Sequence, residues 1–273
     1  MPLIKARDGT GLYTKVWGAG RDVILLHGWP LSADSWDDHA VMLAENGYRV
    51  IACDRRGFGR SDQPWNGYDY DTFADDLAAV VAETAARDAA LFGFSMGGGE
   101  VARYMSRHSG KGVVQAGLIS SIVPYMLQTR DNPDGVPQAT FDEMAEGMKK
   151  DRAHFFKGFF NDFYGVGLLT QPVSDEVLHW SWGVAMTAGL KPTLAAAQAF
   201  ATTDFRGELA AFTVPTLIVH GTADKTVPID TSARAAHKGI RGSKLVEIDG
   251  GPHGILATHN TATARMMLDF LKQ

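Results

Sequence analysis

The chain has little cysteine, no long apolar run and no cluster of basic residues. Its only cysteine is Cys53, so no disulfide can form within the chain, and this is typical of proteins from a reducing cytoplasm. No apolar run is long enough to span a bilayer, and the first residues lack the apolar stretch of a signal peptide. Lys and Arg number 26 against 31 Asp and Glu, which does not favour nucleic acid as a partner. We expect a cytoplasmic protein that binds neither nucleic acid nor membrane.

The chain also lacks the motifs of metal and haem sites. Among its nine histidines and one cysteine, neither the H-E-x-x-H spacing of zinc enzymes nor a haem-attachment motif occurs. We therefore expect no metal and no other cofactor. Any reaction would then be carried by side chains and backbone groups.

The pattern of the 273 residues favours an α/β fold with one insertion. Short apolar runs such as Val23–Leu26 and Val113–Ser121 alternate with helical segments, which is typical of a mostly parallel sheet covered by helices on both faces. From residue 125 to residue 205 no strand is predicted, and helices rich in aromatic residues are separated by prolines. We predict a core of residues 1–124 and 206–273, with residues 125–205 inserted as a helical cap over the carboxyl edge of the sheet.

One serine lies in the motif of a catalytic nucleophile. The run Gly93-Phe94-Ser95-Met96-Gly97 has the form G-x-S-x-G, and it stands between a predicted strand and a predicted helix. The glycines allow a sharp turn, which would present the Ser95 hydroxyl group at the edge of the sheet. The pattern predicts a nucleophile elbow, provided that the chain also supplies a base and an acid.

His253 and Asp224 are the predicted base and acid, because both follow predicted strands directly. A serine hydroxyl group needs a base to take its proton, and the base needs an anion to hold its tautomer. Asp54 and Asp249 are the alternative acids. Asp54 precedes the serine and is followed by two arginines, which favours a structural ion pair. Asp249 is too close in sequence to His253 to orient it. The order Ser95, Asp224, His253 is therefore preferred.

The positions of the other histidines in the sequence favour structural or surface roles for them. His220 ends a predicted strand, which favours a structural role. For His27 we expect a role in packing and hydrogen bonding. The rest fall on predicted helices or at their ends: His39, His108, His154, His179, His237 and His259.

Two backbone N–H groups are the predicted oxyanion hole. The Met96 N–H lies at the start of a helix, where N–H groups have no partner within the helix. The Trp29 N–H lies in the run His27-Gly28-Trp29-Pro30, directly after the predicted strand Val23–Leu26. Together they would bind the negative charge that forms on a carbonyl oxygen when serine attacks.

Five motifs are spread over nearly the whole chain; they are His27–Pro30, Asp54–Ser61, Gly93–Tyr104, His220–Asp224 and Gly251–Gly254. Together they resemble the motifs of one family, the cofactor-free bacterial haloperoxidases with their similar arylesterases and γ-lactamases. The resemblance implies an eight-stranded α/β-hydrolase fold with a helical cap, no haem or metal, and a homo-oligomer, either a trimer or a hexamer. It implies the triad Ser95, Asp224 and His253, with Trp29 and Met96 as oxyanion donors.

Pro30 has two interpretations within this resemblance. Members with proline directly after the oxyanion residue resemble perhydrolases, in which hydrogen peroxide replaces water and releases a peracid. Proline fixes φ, which would reshape the backbone beside Trp29. The second interpretation is a proline that only makes the loop rigid.

The predicted function is a serine hydrolase that cleaves small carboxylic esters through an acyl-enzyme, with hydrogen peroxide as a co-substrate of a perhydrolase activity. The alternatives are a γ-lactamase or amidase that uses the same triad, and a non-catalytic homologue that binds a hydrophobic ligand. Dehalogenases and epoxide hydrolases require an aspartate in place of Ser95 and are disfavoured. The residues expected to bind the small ester or acid substrate are Trp29, Pro30, Tyr125, Phe160, Phe163 and Phe200.

Overall fold

A computed structural model of the chain describes residues 3–273. The strands within these residues are numbered here in chain order. They are β1 (Ile4–Lys5), β2 (Gly11–Leu12), β3 (Thr14–Trp17), β4 (Arg21–Leu26), β5 (Tyr48–Cys53), β6 (Ala89–Phe94), β7 (Val113–Ile119), β8 (Thr216–Gly221) and β9 (Lys244–Ile248).

The helices of the same residues surround these strands. They are α1 (Asp37–Glu45), α2 (Tyr70–Glu83), α3 (Met96–Arg107), α4 (Gln138–Tyr164), α5 (Asp175–Thr187), α6 (Leu190–Thr202), α7 (Ala233–Gly239), α8 (Ile255–Thr258) and α9 (Asn260–Leu271). Two short 3₁₀ turns lie at Ala33–Trp36 and Arg206–Ala211. In the described part of the chain, no helix combines the length and the apolar character needed to cross a membrane.

Seven strands form one mostly parallel sheet in the order β3-β5-β4-β6-β7-β8-β9. Only the pair of β3 with β5 is antiparallel. The central strands β4, β6 and β8 are apolar and almost fully buried, because helices cover the sheet on both faces. The predicted α/β-hydrolase fold class is confirmed. The carboxyl ends of β4, β6, β8 and β9 lie along one edge of the sheet, and the loops that follow them build the site.

The expectation of an eight-stranded sheet is wrong by one strand. β1 and β2 form a hairpin and pair only with each other. Between β2 and β3, the Tyr13 N–H donates to the Ser61 hydroxyl group at 2.9 Å, and in β2 the Gly11 N–H donates to the Asp62 carboxylate at 2.7 Å. Side chains of the loop at residues 61–62 thus accept hydrogen bonds from backbone N–H groups that could otherwise pair with a strand of the main sheet. β2 stays outside that sheet.

Residues 125–205 contain α4, α5 and α6, and we call this segment the cap. The division into core and cap stays a proposal. The first two residues of the predicted core, residues 1 and 2, lie outside the described part of the chain. α4 is one long helix with a non-helical residue at Asp151 (φ −159°, ψ 90°). The Asp151 carboxylate accepts the His154 N–H at 2.9 Å, as an N-cap residue does. Asp151 therefore starts the second half of α4, which lies near the site.

Candidate active site

The serine of the G-x-S-x-G motif lies on a sharp turn between β6 and α3. Ser95 has φ 54° and ψ −118°, a left-handed conformation that costs a non-glycine residue about 1–3 kcal/mol. A side chain at Gly93 would overlap the backbone of Gly97, and one at Gly97 would overlap the Leu26 carbonyl. The Ser95 N–H donates to the Ile119 carbonyl at 2.8 Å. The turn therefore holds the hydroxyl group at the carboxyl edge of the sheet.

Three buried side chains form a continuous line of hydrogen bonds at this edge. His253 Nε2 lies 2.9 Å from Ser95 Oγ, and His253 Nδ1 lies 2.7 Å from Asp224 Oδ2. Because an ionised carboxylate only accepts hydrogen bonds, Nδ1 carries the hydrogen in the neutral ring. Nε2 is then free to accept the hydrogen of Ser95. The geometry suits a base beside a nucleophile.

Asp224 accepts three hydrogen bonds, and a second histidine lies close to it. Its Oδ1 accepts the N–H groups of Thr226 at 2.9 Å and Val227 at 2.8 Å. Its Oδ2 accepts from His253 and also lies 3.1 Å from His220 Nε2. Burial alone would raise the pKa of Asp224, but the interactions with His253 and His220 hold that pKa well below its usual value. Asp224 is therefore ionised and suited to hold the tautomer of His253.

The two alternative acids lie in other surroundings. Asp54 is buried and accepts the Ala33 N–H at 2.8 Å and the Arg60 N–H at 2.8 Å. It forms an ion pair with Arg60 at 2.9 Å, rather than with the two arginines that directly follow it. Asp249 accepts from the Thr222 hydroxyl group at 3.4 Å and is exposed. The structure brings neither carboxylate to His253.

The residues expected to form the oxyanion hole lie on either side of the serine. Met96 begins α3, and the first N–H groups of a helix have no partner within that helix. Trp29 lies in the loop after β4, which pairs with β6 so that Leu26 is opposite Gly93. Trp29 and Ser95 line the same cavity. The placement is compatible with two donors that converge on one carbonyl oxygen.

A buried network holds the loop that precedes Trp29. The Arg55 backbone N–H donates to His27 Nε2 at 2.9 Å, and the Arg55 guanidinium donates to the His27 carbonyl at 2.6 Å. His27 Nδ1 therefore carries the hydrogen and donates to the Gly28 carbonyl at 2.9 Å. Burial lowers the pKa of His27 well below its usual value. The guanidinium also pairs with Glu100, whose pKa burial raises to about 7. The motifs did not reveal this network because its members are far apart in sequence.

A cavity of about 550 Å³ opens at Ser95 and His253. Two of the six predicted substrate-binding residues, Trp29 and Phe200, line it. The other four lie outside its lining; they are Pro30, Tyr125, Phe160 and Phe163. Among the residues that line it and were not predicted are Ile122, Met126, Phe141, Met144, Asp162 and Lys225. Within residues 3–273, no group of three or more His, Cys, Asp or Glu side chains is arranged to hold a metal ion.

The aromatic residues of α4 divide between two faces of the helix. Phe155 and Phe159, one turn apart, line the cavity. Phe160 and Phe163 are buried on the other face, and the Phe163 ring packs edge-on against the His253 imidazole with centroids 4.8 Å apart. The predicted residues Phe160 and Phe163 thus lie on the face away from the cavity lining, and the sequence does not distinguish the two faces because both are aromatic.

Tyr125 and Pro30 are buried beside the cavity without lining it. The Arg206 guanidinium lies over the Tyr125 ring, 5.0 Å from its centroid, so the ring takes part in a cation–π contact. Pro30 follows Trp29 through a cis peptide bond. Pro30 therefore lies next to the expected oxyanion donor in the chain, but it does not line the cavity.

The Trp29 side chain connects the loop of the core to the cap. Its ring packs against Phe156, Phe159 and Phe200, with centroids 5.3–5.6 Å apart. Its Nε1 donates to the Thr193 carbonyl of α6 at 3.0 Å. One residue of the loop after β4 thus lines the cavity with Ser95 and packs its indole ring among the aromatic rings of the cap.

Comparisons with known proteins show which family this chain is similar to. The model of the α/β-hydrolase fold family matches residues 23–260. A non-haem haloperoxidase of Rhodococcus erythropolis is 41% identical over the full length of both chains. A bifunctional esterase/perhydrolase of Acinetobacter calcoaceticus is 38% identical, again over the full length of both. The crystal structure of a bromoperoxidase from Bacillus anthracis superimposes with a TM-score of 0.96 at 40% identity, covering 100% of this chain and 99% of the other.

Proposed function

This chain belongs to the α/β-hydrolase fold family and, within it, to the non-haem haloperoxidases, and we propose that it is a serine hydrolase of small carboxylic esters. The observation that supports this best is the line of hydrogen bonds from Ser95 through His253 to Asp224, which opens on an apolar cavity. Such a line supplies a nucleophile, a base and an anion in reach of one another.

The proposed reaction begins when Ser95 Oγ attacks the ester carbonyl and His253 Nε2 takes its proton. The N–H groups of Met96 and Trp29 donate to the oxyanion, and loss of one such donor typically lowers the rate by about 10²–10³. His253 then gives the proton to the departing alcohol, leaving the acyl group on Ser95. Asp224 stabilises the imidazolium that exists between these steps. Water attacks the acyl group, and His253 again carries the proton.

Hydrogen peroxide is the proposed second acceptor of the acyl group. In this branch peroxide replaces water, so that its oxygen bonds to the acyl carbon and the products are a peracid and free Ser95. The peracid, once released, oxidises halide without further help from the protein. The esterase/perhydrolase and haloperoxidase relatives support this branch. Pro30, directly after Trp29, is the proposed structural correlate of peroxide use.

The test of the hydrolase is Ser95→Ala in the purified, folded protein. Turnover of p-nitrophenyl acetate should fall by about 10⁶, while Ser106→Ala at the far end of α3 should keep the activity of the unmodified protein. A fluorophosphonate probe should label Ser95. Ester turnover that survives in Ser95→Ala would overturn the mechanism, and a failure to label Ser95 would favour the ligand-binding alternative.

The test of the peroxide branch is halogenation in the presence and absence of a carboxylate. With acetate and peroxide, bromination of a dye should proceed and should be lost in Ser95→Ala. Bromination that needs no carboxylate would contradict the peracid route. A parallel panel of lactams and amides would show whether the same triad also acts on those bonds.

A cytoplasmic location and a homo-oligomer, trimer or hexamer, complete the proposal. The single cysteine is buried, and burial raises the pKa of its thiol, which fits a protein that uses no disulfide. Cell fractionation tests the location. Light scattering of the purified protein tests the oligomeric state, and a monomer would contradict it.

A further inference from the structure

A second histidine contacts the carboxylate of the proposed triad. His220 is the penultimate residue of β8, and its side chain is fully buried. Its Nε2 lies 2.9 Å from the Val227 carbonyl and 3.1 Å from Asp224 Oδ2. Both of these oxygens can only accept hydrogen bonds, so Nε2 must carry a hydrogen. His220 therefore donates into the turn that begins at Asp224.

The His220 Nε2 atom lies 3.1 Å from an Asp224 oxygen that has one other side chain close to it. Oδ1 already accepts two backbone N–H groups, and Oδ2 accepts His253 Nδ1 at 2.7 Å. Within residues 3–273, His220 and His253 are the two side chains within hydrogen-bond distance of this carboxylate. Without His220, Oδ2 would have His253 as its one side-chain donor.

The other ring nitrogen of His220 fixes its protonation state. Nδ1 is buried, and no hydrogen-bond partner lies near it in the described residues. A second hydrogen there would be buried without an acceptor, which is costly. The titratable groups around the ring are Asp224 and His253 from the loops after β8 and β9, and Glu247, its register partner on β9. The geometry favours a neutral ring with its hydrogen on Nε2.

We propose that His220 is a positioning residue of the catalytic triad: its Nε2–H holds Asp224 Oδ2 in the position from which Asp224 orients His253. His220 itself exchanges no proton during the reaction. The same His220 N–H also donates to the Val227 carbonyl, and this bond holds the turn that follows Asp224. This inference rests on the proposed function, because it assigns His220 a role through Asp224 and His253.

Two substitutions of nearly equal shape test the role of the donor. His220→Met removes the N–H, whereas His220→Gln keeps an N–H donor near the position of Nε2. His39→Met is the matched control, because His39 is also buried but neither of its nitrogens has a hydrogen-bond partner within residues 3–273.

The expected result is a loss of rate that depends on the donor. His220→Met should lower kcat for p-nitrophenyl acetate by about tenfold with little change in KM, the loss expected for one hydrogen bond to a charged group. Asp224 without this donor is more basic and favours the imidazolium of His253, so the acidic limb of kcat/KM should move to higher pH. His220→Gln should restore most of the rate and the original limb. His39→Met should change neither.

Two results would overturn the proposal. One is a His220→Met protein with the kcat and pH profile of His39→Met. The other is a His220→Gln protein as impaired as His220→Met, which would show that the ring matters only for packing. Labelling of Ser95 by the fluorophosphonate probe is recorded for every variant, so that failure of the hydrolase itself is distinguished from failure of this inference.

A measurement on the unmodified protein decides the case even if His220→Met does not fold. Nitrogen-15 NMR of the histidine rings distinguishes the two neutral tautomers. His220 should show a hydrogen on Nε2 and none on Nδ1 throughout the pH range of activity. A hydrogen on Nδ1 alone would mean that Nε2 cannot donate to Asp224, and the proposal would fall.

Discussion

The two walls of the cavity are built from opposite kinds of contact. On the core wall, Ser95, His253 and Asp224 are joined by hydrogen bonds of 2.7–2.9 Å. On the cap wall, Phe159 and Phe200 pack against the Trp29 ring, with centroids 5.3 and 5.6 Å from it. Hydrogen bonds weaken steeply when distance or angle changes, whereas apolar packing tolerates substitutions of similar volume. We infer that the core wall fixes the reaction, and that the cap wall fixes which acyl groups fit.

Of the substitutions that compare the two walls, Asp224→Asn on the core wall should have the largest effect. The amide keeps an oxygen for two backbone N–H groups, but its NH₂ group faces His253 and favours the wrong tautomer of the ring. kcat for ester hydrolysis should fall by about 10⁴. Asp249→Asn is the matched control and should leave kcat unchanged. An active Asp224→Asn together with an inactive Asp249→Asn would reverse the assignment of the acid.

The second effect concerns the stability of the cap. Phe160 is fully buried, whereas its neighbour Phe159 faces the cavity and is half-buried. Phe160→Ala should lower the free energy of unfolding by about 3–5 kcal/mol, because it leaves a cavity in a packed interior. Phe159→Ala should cost clearly less. Urea unfolding measures both, and equal losses would contradict the division of α4 into two faces.

The core wall could be predicted from sequence because each of its parts carries its own local signal. A G-x-S-x-G turn has one strand-to-helix geometry, and Asp224 and His253 follow apolar runs that read as buried strands. Parallel strands end at a common edge, so the strand pattern alone brings these three side chains together. Their catalytic roles stay predictions.

The cap wall and the finer details of the core could not be predicted in this way. The sequence of α4 is aromatic on two faces, so its phase depends on packing against Trp29 and His253. The contact of His220 in β8 with Asp224, four residues later, depends on how tightly the chain turns after the strand, which the sequence does not reveal. The missing eighth strand has the same origin, because the Ser61 hydroxyl group and the Asp62 carboxylate bond to the backbone of residues 11–13.

A smaller effect should appear in the acyl preference of the cap wall. Phe159→Ala enlarges the cavity beside Trp29, so long acyl chains should gain relative to short ones. A methylene in an apolar pocket is worth about 1–3 kcal/mol, and the ratio of kcat/KM for p-nitrophenyl octanoate over acetate should rise by about tenfold or more. Lys157→Ala, an exposed change on the same helix that does not line this cavity, is the control. An unchanged ratio would mean that Phe159 does not contact the acyl group.

The smallest effect tests the one residue that belongs to both walls. Trp29→Phe keeps an aromatic ring among the rings of the cap but removes the hydrogen bond from Nε1 to the Thr193 carbonyl. The backbone N–H of residue 29 remains, so the oxyanion should still be bound. One neutral hydrogen bond is worth about 1 kcal/mol, and kcat should fall only a few-fold.

Trp182→Phe offers a control, because Trp182 Nε1 donates to the Ala153 carbonyl within the cap, away from the serine. If the two walls act independently, both substitutions should reduce stability alike and leave kcat almost intact. A much larger loss of kcat in Trp29→Phe alone would show that the position of the cap controls the oxyanion hole, and the separation of the two walls would then fail at this residue.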